Sequence, residues 1–273
     1  MSKYPKIQRL LAMIARASLA TALCVGATAV ARADEANAKK LLKGMSDYMA
    51  AQKSLSFDFD ASFEVVTRDD QKLSLLSSGS VVLNRPDKIR FTRSGGFADI
   101  EMLFDGKTLT LIGKNTNIYA QTEAPGTIDQ LINDLQEKFR RPLPAADLLL
   151  SNAYDELSSD VTDVKDLGSG VVGGVECDYL AFRKQDVDFQ IWIAQGDKPY
   201  PCRFSITSPA VRGTPQYSIQ IRDWNTGGAV AATDFSFKNT SNAQKLDVKE
   251  IREKFSDLPD NFTIVTVTTG SGK

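Results

Sequence analysis

The sequence predicts a mainly β protein whose antiparallel sheet is covered on one face by helices, and three observations carry that reading. Leu55, Phe57, Phe59, Ala61, Phe63 and Val65 alternate with Ser56, Asp58, Asp60, Ser62 and Glu64, an apolar face backed by a wet one. From Gly79 to Ile112 the chain reads as three or four short strands joined by tight turns. Pro86 sits where no ladder N–H is needed, and Asp105-Gly106 supplies a hairpin turn. Two stretches, Asp34–Lys53 and Ile128–Phe139, change to helical period, and each has one apolar stripe to bury. Strands at this spacing, with turn signals between them, form a sandwich or a barrel.

Residues 1–33 stand apart from that domain. Lys3, Lys6, Arg9 and Arg16 form a basic leading region, Ala17–Val30 is uncharged and mostly apolar, and Ala31-Arg32-Ala33 is a small-x-small site. Together they read as a secretory signal peptide cleaved after Ala33. The apolar run falls short of the about 20 residues that a spanning helix needs. Cys24 follows Leu23, where lipid-attachment sites have a small residue. The expected mature chain is soluble, exported to a bacterial periplasm and without a transmembrane segment.

Removing residues 1–33 takes away five basic residues and no acidic ones, so the formal net charge moves from −1 to −6. A mildly acidic chain with interspersed signs carries no footprint for nucleic acid or for an anionic membrane surface. The chain contains no histidine. That removes the commonest general base, the commonest metal ligand and the Ser-His and Cys-His nucleophile pairs. The expectation is a protein that is not an enzyme and takes no cofactor or metal. Asp58, Asp60 and Glu64 read as a solvated strand face, and Asp155, Glu156, Asp160 and Asp163 match no calcium-loop spacing. Gly168-Ser169-Gly170 reads as a turn, and the closing Thr-Thr-Gly-Ser-Gly-Lys as a terminus without the spacing of a phosphate loop.

In chain order, Ala38, Leu41, Leu42, Met45, Tyr48 and Met49 form the stripe of the first helix, which packs on the sheet. Leu55–Val65, Leu73–Leu83 (with a bulge near Ser77–Gly79), Ile89–Arg93, Phe97–Phe104, Thr108–Ile112 and Asn117–Thr122 make a first meander. Thr127 caps a helix carrying Ile128, Leu131, Ile132, Leu135 and Phe139, which Pro142 and Pro144 end. Ala145–Leu150 and Ala153–Leu157 add short helical turns. An insert this apolar must bury, and the concave face of the sheet is the simplest place. Strands then resume as Val161–Leu167, Gly170–Val175, Cys177–Phe182, Val187–Ala194, Arg203–Thr207, Pro215–Trp224 and Thr233–Phe237. In the tail, residues 247–273, Val248, Ile251 and Phe255 hint at a helix, and Phe262–Thr268 reads as an edge strand or a loose end.

Strand alternation turns Cys177 outward and Cys202 inward, on opposite sides of the strand Asp188–Ala194, while an oxidising compartment permits a disulfide; their pairing stays open. Phe57, Phe59, Phe63, Phe91, Phe104, Phe182, Phe189 and Phe204 fall on the inferred inward face. Such a face belongs either to a filled core or to the wall of a cavity for an apolar ligand.

Gly79, Arg85-Pro86, Lys88, Arg90 and Asp105-Gly106-Lys107-Thr108 resemble the "RP-x-K-x-R … DGK" signature of the periplasmic lipoprotein-carrier superfamily (LolA/LolB-like). The second half is similar to a branch of uncharacterised predicted periplasmic proteins in Gly174–Arg183, Gln190-Ile191-Trp192-Ile193, Pro199–Thr207, Pro215-Gln216-Tyr217 and Trp224-Asn225. The resemblance covers Asp34 to about Leu246. It departs at Asp178, where that branch often has a histidine, and at Cys202, where a basic residue is usual. It implies a single domain over 34–246: an unclosed antiparallel barrel of about 11–12 strands, with an N-terminal helix and a helical insert over the concave face. Arg85, Pro86, Arg90, Asp105, Gly106 and Lys107 would mark the fold, with Arg85, Lys88, Arg90 and Lys107 as outward or rim residues. The eight phenylalanines above would line a cavity lidded by Ile128, Leu131, Leu135, Leu148 and Leu149. Understood members carry lipid moieties between membranes, and others bind lipid or peptide to sense envelope stress. The expected function is therefore a non-catalytic periplasmic binding or carrier protein for a lipid or a lipoprotein acyl chain. The alternative is an envelope regulatory or scaffolding module that meets a protein partner at the rim near Tyr217 and Trp224.

Overall fold

Strand β1 (Ser54–Val66) is the spine of the molecule, because it pairs along both edges and joins the two halves of the chain. The computed structural model describes residues 34–95, 99–137, 145–248 and 250. Four expectations fall outside those residues: the signal peptide with Cys24 and Ala33, Phe97 ahead of the fourth strand, Phe139 with Pro142 and Pro144, and the tail from Ile251, including Phe255 and Phe262–Thr268. Helix α1 is described over 34–51 and leads directly into β1.

On one side of β1 the first meander follows in order: β2 (Lys72–Asn84), β3 (Lys88–Gly95), β4 (Asp99–Phe104), β5 (Thr108–Gly113) and β6 (Ile118–Glu123). The helical insert comes next: α2 (Ile128–Glu137), a 3-10 turn over Ala146–Leu149, and α3 (Ala153–Ser158). The chain then runs through β7 (Asp163–Val172), β8 (Val175–Arg183), β9 (Asp188–Ala194), β10 (Pro201–Thr207) and β11 (Gln216–Thr226), and β11 returns to the free edge of β1. After the helical turn α4 (Gly228–Ala231), the two-residue strand β12 (Gln244–Lys245) adds in parallel to β6. The result is one 12-stranded sheet, in the order β12-β6-β5-β4-β3-β2-β1-β11-β10-β9-β8-β7, antiparallel apart from that last pair. Its ends, β12 and β7, are not joined, so the barrel is unclosed.

Alternation sets which face is buried. Leu55, Phe57, Phe59, Ala61 and Val65 turn inward from β1, as do Val81 and Leu83 from β2 and Ile219 and Ile221 from β11. Ala38, Leu42, Met45 and Met49 of α1 are fully buried against the same core. Salt links Lys39–Glu35 and Lys43–Asp47 lie on the helix's wet side. Leu180, Phe182, Phe189, Ile191, Ile193 and Phe204 complete the core of the second half.

Several local expectations change. No bulge interrupts the β1–β2 ladder at Ser77–Gly79, where Phe59 stands opposite Gly79 in unbroken register. Gly79 is there for space: a Cβ would meet the Thr92 carbonyl oxygen at 1.9 Å and the Phe59 ring at 2.6 Å. The ring that fills this space stacks on Phe91 at 5.8 Å. Val161–Leu167 and Gly170–Val175 are not two strands; β7 runs through both, with its register shift between Asp166 and Ser169 around Gly168. Thr233–Phe237 is not a strand, and its aromatic residues pack singly, Phe235 buried and Phe237 against Tyr119 at 4.7 Å.

The cysteines also move. A bulge between Pro201 and Arg203 gives β10 one extra residue, which breaks the alternation that would have aimed Cys202 into the main core. Cys202 instead joins Cys177 and Ala194 in a small separate cluster, and the two thiols are free. Burial pushes both thiols above their ordinary range.

Candidate functional site

Between the sheet and the helical insert lies an apolar cavity of about 520 Å³. Its wall draws on β1 to β6, on β10 and β11, on α1 through Met49, and on the insert. From β6 to β10 is seven strand spacings, about 34 Å in a flat sheet. One cavity touching both Thr122 and Pro201 therefore requires a strongly curled sheet.

The eight inward phenylalanines divide into two groups. Phe57, Phe59, Phe63 and Phe91 line the cavity. Phe104, Phe182, Phe189 and Phe204 do not; they are buried in packed core, with Phe182 stacked on Phe189 at 4.7 Å and Phe189 tilted against Phe204 at 5.6 Å. Phe182, Phe189 and Phe204 lie on β8–β10 and pack on one another, whereas the hollow lies over β1–β6. Ile128, Leu131, Leu135, Leu148 and Leu149 all lie on its wall. Ile89, Met102, Leu109, Leu111, Ile219 and Ile221 complete its apolar surface.

Local sequence explains how the insert is set. Thr127 Oγ1 accepts from Gln130 N at 3.2 Å while Gln130 Oε1 accepts from Thr127 N at 2.9 Å, a reciprocal capping box at the start of α2. Ile128 N donates to the Pro86 carbonyl at 2.8 Å, which ties α2 to the β2–β3 turn. Arg85 is not a rim residue. Its side chain is 14% exposed, its Nη2 donates to the Leu149 carbonyl at 2.8 Å, and its Nη1 lies 3.9 Å from Asp129. Asp129 in turn accepts from Ser151 N at 3.2 Å and from the Ser151 hydroxyl. Burial lowers the Arg85 guanidinium below its ordinary value and Asp129 opposes that shift; Arg85 Nε has no hydrogen-bond partner. The Arg85-Pro86 turn thus ties the start of α2 and the end of the 3-10 turn to the sheet. Tyr154 N donates to Ser46 Oγ at 2.8 Å, fastening α3 to α1.

The remaining motif residues have lesser parts. Arg90 points outward and pairs with the buried Glu101 at 2.7 Å, which Lys114 shares at 3.2 Å. Asp105 Oδ1 accepts from the backbone of Lys107 and Thr108, closing the turn in which Gly106 takes a positive φ of 90°. The Lys107 side chain is exposed.

Four polar side chains reach the wall: Ser77, Arg93, Thr122 and Tyr217. Burial pushes the Tyr217 phenol up to about 12, with the Arg93 charge pulling the other way. Neither residue emerges from a search for apolar faces. The missed signal was parity: Arg93 falls in step with Ile89 and Phe91, and Tyr217 with Ile219 and Ile221, so both point inward. Trp224 is likewise no exposed rim residue: it stacks on Tyr200 at 5.1 Å and Phe57 at 5.8 Å, and its Nε1 donates to the Tyr48 hydroxyl at 3.2 Å. Chemically, the arrangement can hold a hydrocarbon chain and place a polar group against an arginine and a phenol.

Among solved structures, an uncharacterized conserved protein from Thermus thermophilus is 11% identical, with 77% of this chain and 99% of that chain covered at a TM-score of 0.45. The lipoprotein LppX of Mycobacterium tuberculosis is 13% identical, covering 74% of this chain and 100% of that chain at a TM-score of 0.38. A LolA superfamily protein from Nitrosomonas europaea is 12% identical, covering 70% of this chain and 94% of that chain at a TM-score of 0.32. No curated protein matches the sequence. The model of a family described as "Predicted periplasmic protein (DUF2092)" matches residues 38–249, nearly the whole domain of sheet, helices and cavity. The chain belongs to that family of predicted periplasmic proteins.

Proposed function

We propose that the protein is a non-catalytic binding or carrier protein for a lipophilic ligand of the cell envelope. The observation that carries this reading is the cavity of about 520 Å³, walled by Phe57, Phe59, Phe63, Phe91 and the aliphatic residues of the insert. Each methylene buried there gains about 0.8 kcal/mol. Phe63, on the cavity wall at the end of β1 away from the Arg85-Pro86 turn, is 40% exposed. Lipid extraction and mass spectrometry of protein purified from the periplasm test the reading. Co-purifying lipid, or displacement of a fluorescent fatty acid from the cavity, is the expected result; absence of both overturns it.

A second reading, a module that binds an envelope protein, draws on β7. It is a terminal strand of the sheet, with Leu167 and Val171 exposed, 69% in the case of Val171. Crosslinking in the periplasm is expected to capture a partner through β7 if this reading holds, and to capture none if the protein acts alone.

A further inference from the structure

Of the four polar side chains on the cavity wall, Ser77 and Tyr217 stand on the outer half, toward Phe63, and Arg93 stands near the middle, level with Phe59. Phe63 pairs with Tyr217 across β1–β11, Ala61 pairs with Ser77, and Arg93 lies across β2 from Phe59 through Gly79. The inner half is closed by Phe57, Val81, Ile89 and Ile128. Flat-sheet spacing would hold Tyr217 and Arg93 three strands and four residue steps apart, about 20 Å. Curling brings them onto one wall, close enough for the arginine's charge to act on the phenol. Tyr217 is half-buried, in surroundings apolar enough to raise its phenol. A guanidinium offers five N–H donors in a planar fork that suits a carboxylate or phosphate.

The dimensions agree with this polarity. From Phe57 to Phe63 the wall follows β1 for six residue steps, about 20 Å. That exceeds half of a bilayer's roughly 30 Å hydrocarbon core, the depth of one leaflet's acyl chain. Resting on the binding function argued above, we propose that the ligand is a single-chain amphiphile whose carboxylate or phosphate head lies against Arg93 and Tyr217, with its tail running inward past Phe59 to Phe57.

The test uses the mature protein and cis-parinaric acid beside its methyl ester, read by fluorescence titration, with palmitate, hexadecyl phosphate and monopalmitin as competitors. The expected result is at least roughly tenfold tighter binding of the acid than of the ester, the scale of one charge-assisted hydrogen bond. Palmitate or hexadecyl phosphate should displace the probe better than monopalmitin, and the stronger of the two identifies the head group. Arg93→Gln should weaken acid binding to the level of the ester while leaving ester binding unchanged, and Tyr217→Phe should weaken the acid alone. Equal binding of acid and ester by the unaltered protein overturns the head-group assignment and leaves the lipophilic cavity standing. Binding of neither overturns the function itself. The unaltered protein decides both outcomes, so neither depends on a variant that fails to fold.

Discussion

Arg85 shows how far a single side chain can stand from the role its motif suggests. Its position beside Pro86 marks a strand end, yet its guanidinium reaches the carbonyl of Leu149, 64 residues further on. No local periodicity encodes such a contact. Asp147, two residues before that carbonyl, carries a testable consequence of burial. Its carboxyl is raised above the ordinary value, first by desolvation and then by Glu156, with Lys184 opposing. A carboxyl with a raised folded-state pKa favours the folded chain below the ordinary carboxylate range, about pH 3.9, and that contribution is lost as pH rises through the folded value. At neutral pH the ionised group therefore costs stability. Asp147→Asn should raise the urea midpoint at pH 7 and leave it nearly unchanged near pH 3.5; an equal gain at both values would refute burial as the cause.

Elements with one clean period were legible from their residues. Leu55–Val65 reads as β1 because a half-buried strand alternates, and Ile128, Leu131 and Leu135 read as a helix because one face is apolar. Thr127 was legible as a cap, and Thr127→Ala should lower stability by about 1 kcal/mol in urea unfolding, with faster amide exchange confined to the start of α2. Errors arose where one residue changes the count. The extra residue at Pro201–Arg203 turned Cys202 toward Cys177, and the shift at Gly168 joined two apparent strands into β7. Alternation is a count of two, so one inserted residue reverses every assignment beyond it. The cavity was half legible for a different reason. Inward phenylalanines are the same in a hollow and in a filled core, and only the three-dimensional packing separates Phe182, Phe189 and Phe204, which fill, from Phe59 and Phe63, which are wall.

At the scale of the whole molecule, the two halves of the sheet do different work. The second half packs its phenylalanines on one another, whereas the first half, with α2 on the cavity wall, is hollow. Ala61 sits near the junction, on β1 and on the cavity wall. Ala61→Trp should fill the hollow and lower fatty-acid affinity at least tenfold, about 1.4 kcal/mol, while the circular-dichroism spectrum stays that of the native sheet. Retained affinity would place the ligand elsewhere. The unjoined edges β7 and β12 give this division a further meaning. In a closed barrel, strand number and stagger dictate the bore. Here no pairing between β7 and β12 fixes the bore, which depends on how far one edge stands from the other. The same twelve strands can therefore be gauged to cargoes of different girth, as a collet grips rods that a drilled sleeve would refuse.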